Sequence, residues 1–306
     1  MKSFRFIFFI LVVTVLFSNV INAQEKLPIE INNVVTPINN QNCIELQAIL
    51  KEEIYKNPKW KSLVENKKMA IGIVDLQDVN NVKFAGLNEQ HMMYAASLPK
   101  IAVLYAVMHA IENGEIEETE NIKKDLRLMI SKSNNAAATR MIDLVGFDKI
   151  ESVLQNVEPK LYDESCGGGL WCGKRYGSGG GRSPDPMKGL SHAATTLQVC
   201  NFYYLLAFGK LINNQRSAEM LDYLKDPALT HKFVNTLQQI APNATIYRKS
   251  GSWKNYHADS VLVWGPDRKY ILVALVENAN GETIIRNLVK PLENVLKKSR
   301  TLKCDI

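Results

Sequence analysis

Ser97 and Lys100 stand three residues apart at the head of an apolar run, Tyr94-Ala95-Ala96-Ser97-Leu98-Pro99-Lys100 leading into Ile101-Ala102-Val103-Leu104-Tyr105-Ala106-Val107-Met108. A serine here opens a helix, and on a helix positions i and i+3 share a face. The lysine amine then stands beside the serine hydroxyl, where it can accept the proton and leave a nucleophilic oxygen. The spacing alone is weak, because 16 serines and 27 lysines in 306 residues supply about one Ser-x-x-Lys by chance. A helix cap beside a solvated lysine is the plain alternative.

Two further polar motifs follow in the chain, Ser133-Asn134-Asn135 and Lys249-Ser250-Gly251. Taken singly, the first is a helix-start turn and the second a strand end. A third stretch, Gly168-x-x-x-x-Gly173-Lys174, matches most of a phosphate-binding loop but carries Arg175 where Ser or Thr would ligate Mg²⁺, and no strand precedes it. The five histidines (His91, His109, His192, His231, His257) are dispersed without ligand spacing, so no metal and no cofactor is expected. Asn243-Ala244-Thr245 fits a glycosylation sequon, a triplet common by chance.

The elements that must position the three motifs can be read from periodicity. Ile44, Ala48, Ile49 and Leu50 predict a helix over 44–55. Residues 69–76 and 82–86, around the turn-like 78–81, predict a hairpin. The Ser97 helix should end near Asn113-Gly114, a second helix should cover 121–131 and deliver Ser133, and a third should run from Ala136 to Gly146. Helical patterns return at 195–211, 217–225 and 230–240, strand patterns at 245–252, 260–264 and 270–277. A final helix carries Ile284, Leu288, Leu292 and Val295 on one stripe despite Pro291. Strands at both ends around a helical middle predict one sheet assembled from both termini, with a helical lobe inserted.

The motifs in this order and setting resemble the signature of serine β-lactamases and penicillin-binding proteins, with a nucleophile opening an apolar helix, Ser-x-Asn between helices and Lys-Ser-Gly on a late strand. The resemblance, nearest to class A β-lactamases, covers most of the chain. It implies an α/β (α+β) fold of the β-lactamase/transpeptidase type, with an α/β lobe at 43–91 and 245–300 and a helical lobe at 92–244. It implies a serine hydrolase acylated at Ser97 by a β-lactam or related amide. The alternatives are a slowly deacylating D,D-peptidase or esterase and a non-catalytic binder of cell-wall peptides.

Within that resemblance Ser97 attacks a carbonyl whose oxyanion is held by the Ser97 and Ser252 backbone N–H groups. Lys100 is the general base, with a pKa lowered by burial beside a second cation such as Lys249. Ser133 relays a proton to the leaving nitrogen, and Asn135 bonds a substrate amide. Lys249 and Ser250, followed by Gly251, hold a substrate carboxylate. Class A β-lactamases also place a Glu-x-x-Leu-Asn segment on a loop that positions the deacylating water. The corresponding stretch here, 171–186, contains no Glu. Asp185 is its only acid, with Asp163, Glu164 and His192 flanking it. Only 32 residues separate Lys100 from Ser133, fewer than the class A pattern carries, so a more open cleft is expected.

A basic start (Lys2, Arg5), an apolar core at 6–17 and a small residue before Gln24 predict a signal peptide over 1–23 and an exported protein, periplasmic or secreted. That core is too short to span a bilayer. Residues 24–42, rich in Asn with Pro28 and Pro37, predict an arm rather than a packed element. Without Lys2 and Arg5 the chain carries 35 basic and 31 acidic residues, too mild a balance for a nucleic-acid surface. Of Cys43, Cys166, Cys172, Cys200 and Cys304 at least one must be unpaired. Cys166 and Cys172, bracketing the glycine-rich loop, are the first candidates for a bridge, with two unlinked thiols as the other reading.

Overall fold

Residues 26–29 and 35–300 are described in the structure, a computed structural model. The expected signal peptide lies outside them. Helix α1 (Ile44–Tyr55) buries Leu46, Leu50 and Ile54, one residue per turn. Helix α2 (Pro58–Glu65) was not foreseen, although Asn57 caps it by accepting from Lys59 N and Trp60 N and Pro58 occupies its first turn. Strands β1 (Met69–Asp75) and β2 (Lys83–Leu87) make the expected hairpin.

After β3 (Met93–Tyr94) come α3 (Lys100–Glu112), α4 (Glu120–Ser131), α5 (Asn135–Val145) and α6 (Phe147–Asn156). Gly146, at φ 77°, ends α5 as expected. The chain then re-enters a helix at once, and α6 buries Ile150, Val153 and Leu154, a stripe missed because the glycine read as a full stop. Four short strands, β4 (Tyr162–Asp163), β5 (Gly168–Gly169), β6 (Trp171–Cys172) and β7 (His192–Ala194), frame the glycine-rich stretch. Helices α7 (Thr196–Ala207), α8 (Asn214–Leu224) and α9 (Phe233–Ile240) precede β8 (Thr245–Trp253), β9 (Tyr256–Gly265), β10 (Arg268–Glu277) and α10 (Gly281–Ser299).

The main sheet has the order β2-β1-β10-β9-β8, antiparallel throughout, so its two halves come from opposite ends of the chain. Period-2 alternation sorts its side chains. Met69, Ile71, Ile73, Leu272 and Ala274 pack under α1, α9 and α10, while Ala70, Val74, Ile271, Val273 and Leu275 join a core shared with α3 and α7. The mixed α/β architecture with an antiparallel sheet is the one expected. Among the described residues no helix is long and apolar enough to cross a membrane.

One expectation needs correction, and one open pair of readings is decided. The described residues of the N-terminal arm pack, with Leu27 and Ile29 buried, Ile29 N donating to Ala207 O at 2.7 Å and Tyr204 OH donating to Thr36 O at 3.0 Å. Its polar composition hid a few apolar residues that cover the end of α7. Cys166 and Cys172 do not form a bridge; both are free thiols. The backbone explains this, because β5 pairs with β4 whereas β6 turns away to pair with β7 in a different sheet. Among the described cysteines the disulfide-bonded one is Cys43.

Candidate active site

Ser97 lies in a tight turn ahead of α3, not in the helix itself. Leu98 N donates to Ala95 O at 3.0 Å and Ile101 N to Leu98 O at 3.2 Å, a three-residue pitch that eclipses positions i and i+3. The pairing read from helical spacing therefore survives the change of geometry, and Lys100 Nζ reaches Ser97 Oγ at 3.2 Å. Gly251 permits the turn to sit against β8. A Cβ there would lie 2.2 Å from Ala95 O and 2.6 Å from Ser97 N, so only glycine lets the two backbones touch.

Lys100 is fully buried. Besides Ser97 its ammonium donates to Ser133 O at 2.7 Å and to Asn135 Oδ1 at 2.7 Å, with Ser133 Oγ at 3.4 Å. Asn134 meanwhile caps α5 by accepting from Ala137 N at 2.8 Å. The middle residue of the motif thus fixes the helix, and the outer two turn toward the lysine. Ser133 (φ 54°) and Ala96 (φ 51°) both occupy the left-handed region that L side chains avoid, which stores strain beside the nucleophile. Each strained carbonyl is held, Ser133 O by Lys100 and Ala96 O by the Tyr176 hydroxyl at 3.1 Å.

Burial brings the Lys100 pKa from 10.5 down to about 7. Burial was the expected cause and carries the shift; the second cation expected beside it does not contribute. The influence runs the other way, because Lys249 is held well below the ordinary lysine value by burial first and then by Lys100, Arg248 and Lys232. Lys249, 1% exposed on β8, donates to Ser133 Oγ at 2.9 Å and to Ser250 O at 2.7 Å. The Ser133 hydroxyl therefore lies between two lysine nitrogens. Beneath them Arg248 and Asp259 form a buried ion pair at 2.7 Å.

Above this floor opens a cleft of about 610 Å³, lined by residues that include Ser97, Asn135, Tyr176, His192, Ser252 and Tyr256. Three of the expected residues, Ser97, Asn135 and Ser252, line it; Lys100, Lys249, Ser250 and Gly251 are buried. No Asp or Glu is among its lining residues. Asp185, the only acid of the 171–186 stretch, is buried and spent, accepting from Met187 N at 3.0 Å, Lys188 N at 2.8 Å and Tyr162 OH at 3.3 Å. His192 does line the cleft, but burial lowers its pKa to about 4. In that neutral ring Nε2 donates to Lys174 O at 2.9 Å and Nδ1 accepts from Ser191 Oγ at 3.1 Å.

Two residues of the site escaped the sequence reading. Lys232, fully buried just before α9, ties the β8–β9 hairpin together by donating to Gly251 O at 2.6 Å, Ser252 Oγ at 2.8 Å and Ala258 O at 2.9 Å. Tyr176 lies in the glycine-rich loop, its ring centroid 4.3 Å from Lys100 Nζ and 4.3 Å from the His192 ring. Nothing in the local sequence of either residue signals its position.

The fold and this arrangement of serine, lysine and serine define a class, that of the serine β-lactamases and penicillin-binding proteins. The model of the beta-lactamase enzyme family matches residues 59–125 and 121–296, and the chain belongs to that family. Among solved structures it is similar to a β-lactamase from Sphaerobacter thermophilus, with 18% identity and a TM-score of 0.62 over 83% of this chain and 97% of that one. It is also similar to a class A β-lactamase representative from Bacteroides cellulosilyticus, with 17% identity and a TM-score of 0.58 over 83% and 99% of the two chains. A third similar structure is the L158E mutant of PBP-A in its acyl-enzyme complex with penicillin G, with 18% identity and a TM-score of 0.59 over 86% and 100%. At such identities the likeness is one of fold. No curated protein matches the sequence.

Proposed function

We propose that the protein is a serine hydrolase of the class A β-lactamase-like type that forms an acyl-enzyme at Ser97 with a β-lactam or a related amide or ester. The observation that carries this reading is the line from Ser97 Oγ to Lys100 Nζ at 3.2 Å, to Ser133 Oγ at 3.4 Å and to Lys249 Nζ at 2.9 Å. With a pKa of about 7, a substantial share of Lys100 is neutral at physiological pH and accepts the Ser97 proton as the oxygen attacks the carbonyl carbon. The proton passes to Ser133 and on to the leaving nitrogen, while Lys249 holds the Ser133 oxygen in place. Backbone N–H groups of Ser97 and Ser252 carry the oxyanion, and Asn135 orients the substrate amide.

The second half of the reaction separates two readings. A cleft without a lining carboxylate favours slow deacylation, as in a D,D-peptidase or esterase that recognises penicillin, over efficient β-lactam turnover. A chromogenic cephalosporin distinguishes them, because a stoichiometric burst supports slow deacylation and sustained hydrolysis supports a β-lactamase. The acyl-enzyme itself is tested by mass spectrometry with penicillin G. An adduct on the wild type that Ser97→Ala abolishes supports the proposal. Absence of any adduct, with cell-wall peptide binding unaffected by Ser97→Ala, would make the protein a binder instead. Export after cleavage near Ala23 belongs to the same reading and is checked by sequencing the N-terminus of the exported protein.

A further inference from the structure

Tyr176 lies across the Ser97 turn. Its hydroxyl donates to Ala96 O, one residue before the nucleophile, at 3.1 Å, and its ring covers Lys100 Nζ, three residues after it, at 4.3 Å. The hydrogen-bond partners of that ammonium are Ser97 Oγ, Ser133 O, Ser133 Oγ and Asn135 Oδ1, and Lys100 is 0% exposed. Every side of the amine next to the acylated oxygen is therefore occupied, and an aromatic face takes the side toward the glycine-rich loop. The His192 ring backs Tyr176 at 4.3 Å, and the phenol itself stays neutral because burial raises its pKa far above the ordinary value. A phenol that is neutral and bonded to a carbonyl takes no proton from water; it excludes water.

We propose that Tyr176 is a positioning residue that sets the lifetime of the acyl-enzyme by keeping water away from Lys100. This inference rests on acylation of Ser97. Hydrolysis would form a bond from a water oxygen to the acyl carbon, break the bond from that carbon to Ser97 Oγ, return one proton to Oγ and release a carboxylic acid. The water needs a base, and the nearest candidate is the Lys100 amine once it has passed its proton on. Tyr176 closes that approach, so the acyl group persists until an acceptor reaches it from the open cleft.

The test follows the penicillin G adduct by time-resolved mass spectrometry on the wild type, Tyr176→Ser, Tyr176→Leu and Tyr176→Phe. All four should acquire the adduct, and decay is timed after free penicillin G is removed, so that a slower acylation caused by hydration of Lys100 does not enter the decay rate. Decay should quicken about tenfold in Tyr176→Ser and Tyr176→Leu and stay near the wild-type rate in Tyr176→Phe, which keeps the ring. The leucine variant serves if the serine variant does not fold. Equal decay in all four overturns the proposal, as does fast decay in Tyr176→Phe. If the wild type acquires no adduct, the acyl-enzyme reading itself has failed, and the shielding role falls with it.

Discussion

The Lys249 ammonium donates to the Ser133 hydroxyl at 2.9 Å, a contact between residues 116 positions apart that fastens β8 to the turn between α4 and α5. It leaves the Ser133 oxygen oriented by one lysine and within reach of the other.

Removing that contact should cost chemistry more than fold. Lys249→Met is expected to slow Ser97 acylation by about 10²- to 10⁴-fold, the usual worth of a positioned proton relay. Its thermal midpoint should hold or rise, since a buried cation has gone. Adduct-formation rates beside a melting curve measure both. An unchanged acylation rate would show that Ser133 is aligned without Lys249.

Acylation should depend on pH through Lys100. With a pKa of about 7, the proton-accepting form grows as pH rises through that value, so the second-order acylation rate should climb between pH 6 and 8 and then level. A rate flat across this interval would remove Lys100 as the base.

The same group leaves a mark on stability. Its folded pKa of about 7 lies below the ordinary 10.5, so folding expels a proton. The resulting destabilisation is fully present below pH 7 and fades as pH rises toward 10.5. Urea unfolding of the wild type and Lys100→Met at several pH values should show the stability difference moving in favour of the wild type by about 1.4 kcal/mol per pH unit between pH 7.5 and 9. Hydrogen bonds lost in the variant shift the difference without tilting it, so the slope reports proton binding by the coupled Lys100 and Lys249.

Asp259 is the buried carboxylate among the site's cations. It is 0% exposed, pairs with Arg248 Nε at 2.7 Å and accepts from Phe233 N at 3.1 Å at the start of α9. Asp259→Asn should destabilise the fold by about 3–5 kcal/mol, because Arg248, Lys249 and Lys232 would be left without a buried counter-charge. Chemical denaturation at pH 7 measures this, and a loss below about 1 kcal/mol would show that water reaches the pair.

Gly251→Ala should part β8 from the Ser97 turn. The new methyl would meet Ala95 O at 2.2 Å and Ser97 N at 2.6 Å, both backbone atoms. A stability loss of about 1–3 kcal/mol is expected, with a larger fall in acylation because the oxyanion donors move apart. The ratio of the two effects, read from denaturation and adduct formation, separates displacement of the site from general unfolding.

The fold was legible where period and punctuation agreed. Helix α1 and the β1–β2 hairpin follow directly from apolar spacing and turn residues, and the three polar motifs marked the residues that the structure draws together. What escaped depends on tertiary position. Tyr176 is one aromatic in a run of glycines, and Lys232 is one of 27 lysines; only packing shows the first on Lys100 and the second inside a hairpin. The lowered pKa of Lys100 and its burial were both foreseen, because Lys100 heads a wholly apolar run that packs as α3 in the core; the contribution expected from Lys249 is absent.

The pairing of β1 with β10 sets Met69 opposite Val276. As the chain is synthesised, Ser97, Lys100 and Ser133 all exist before the ribosome reaches Lys249, and the strand hydrogen-bonded to β1 on its β10 side comes later still. A nascent or truncated chain ending before β8 would hold Ser97, Lys100 and Ser133 with neither Lys249 nor the oxyanion strand. Such sequence-distant pairing makes folding slow. The acylating centre is thus assembled last, so its reactivity arrives together with the completed sheet.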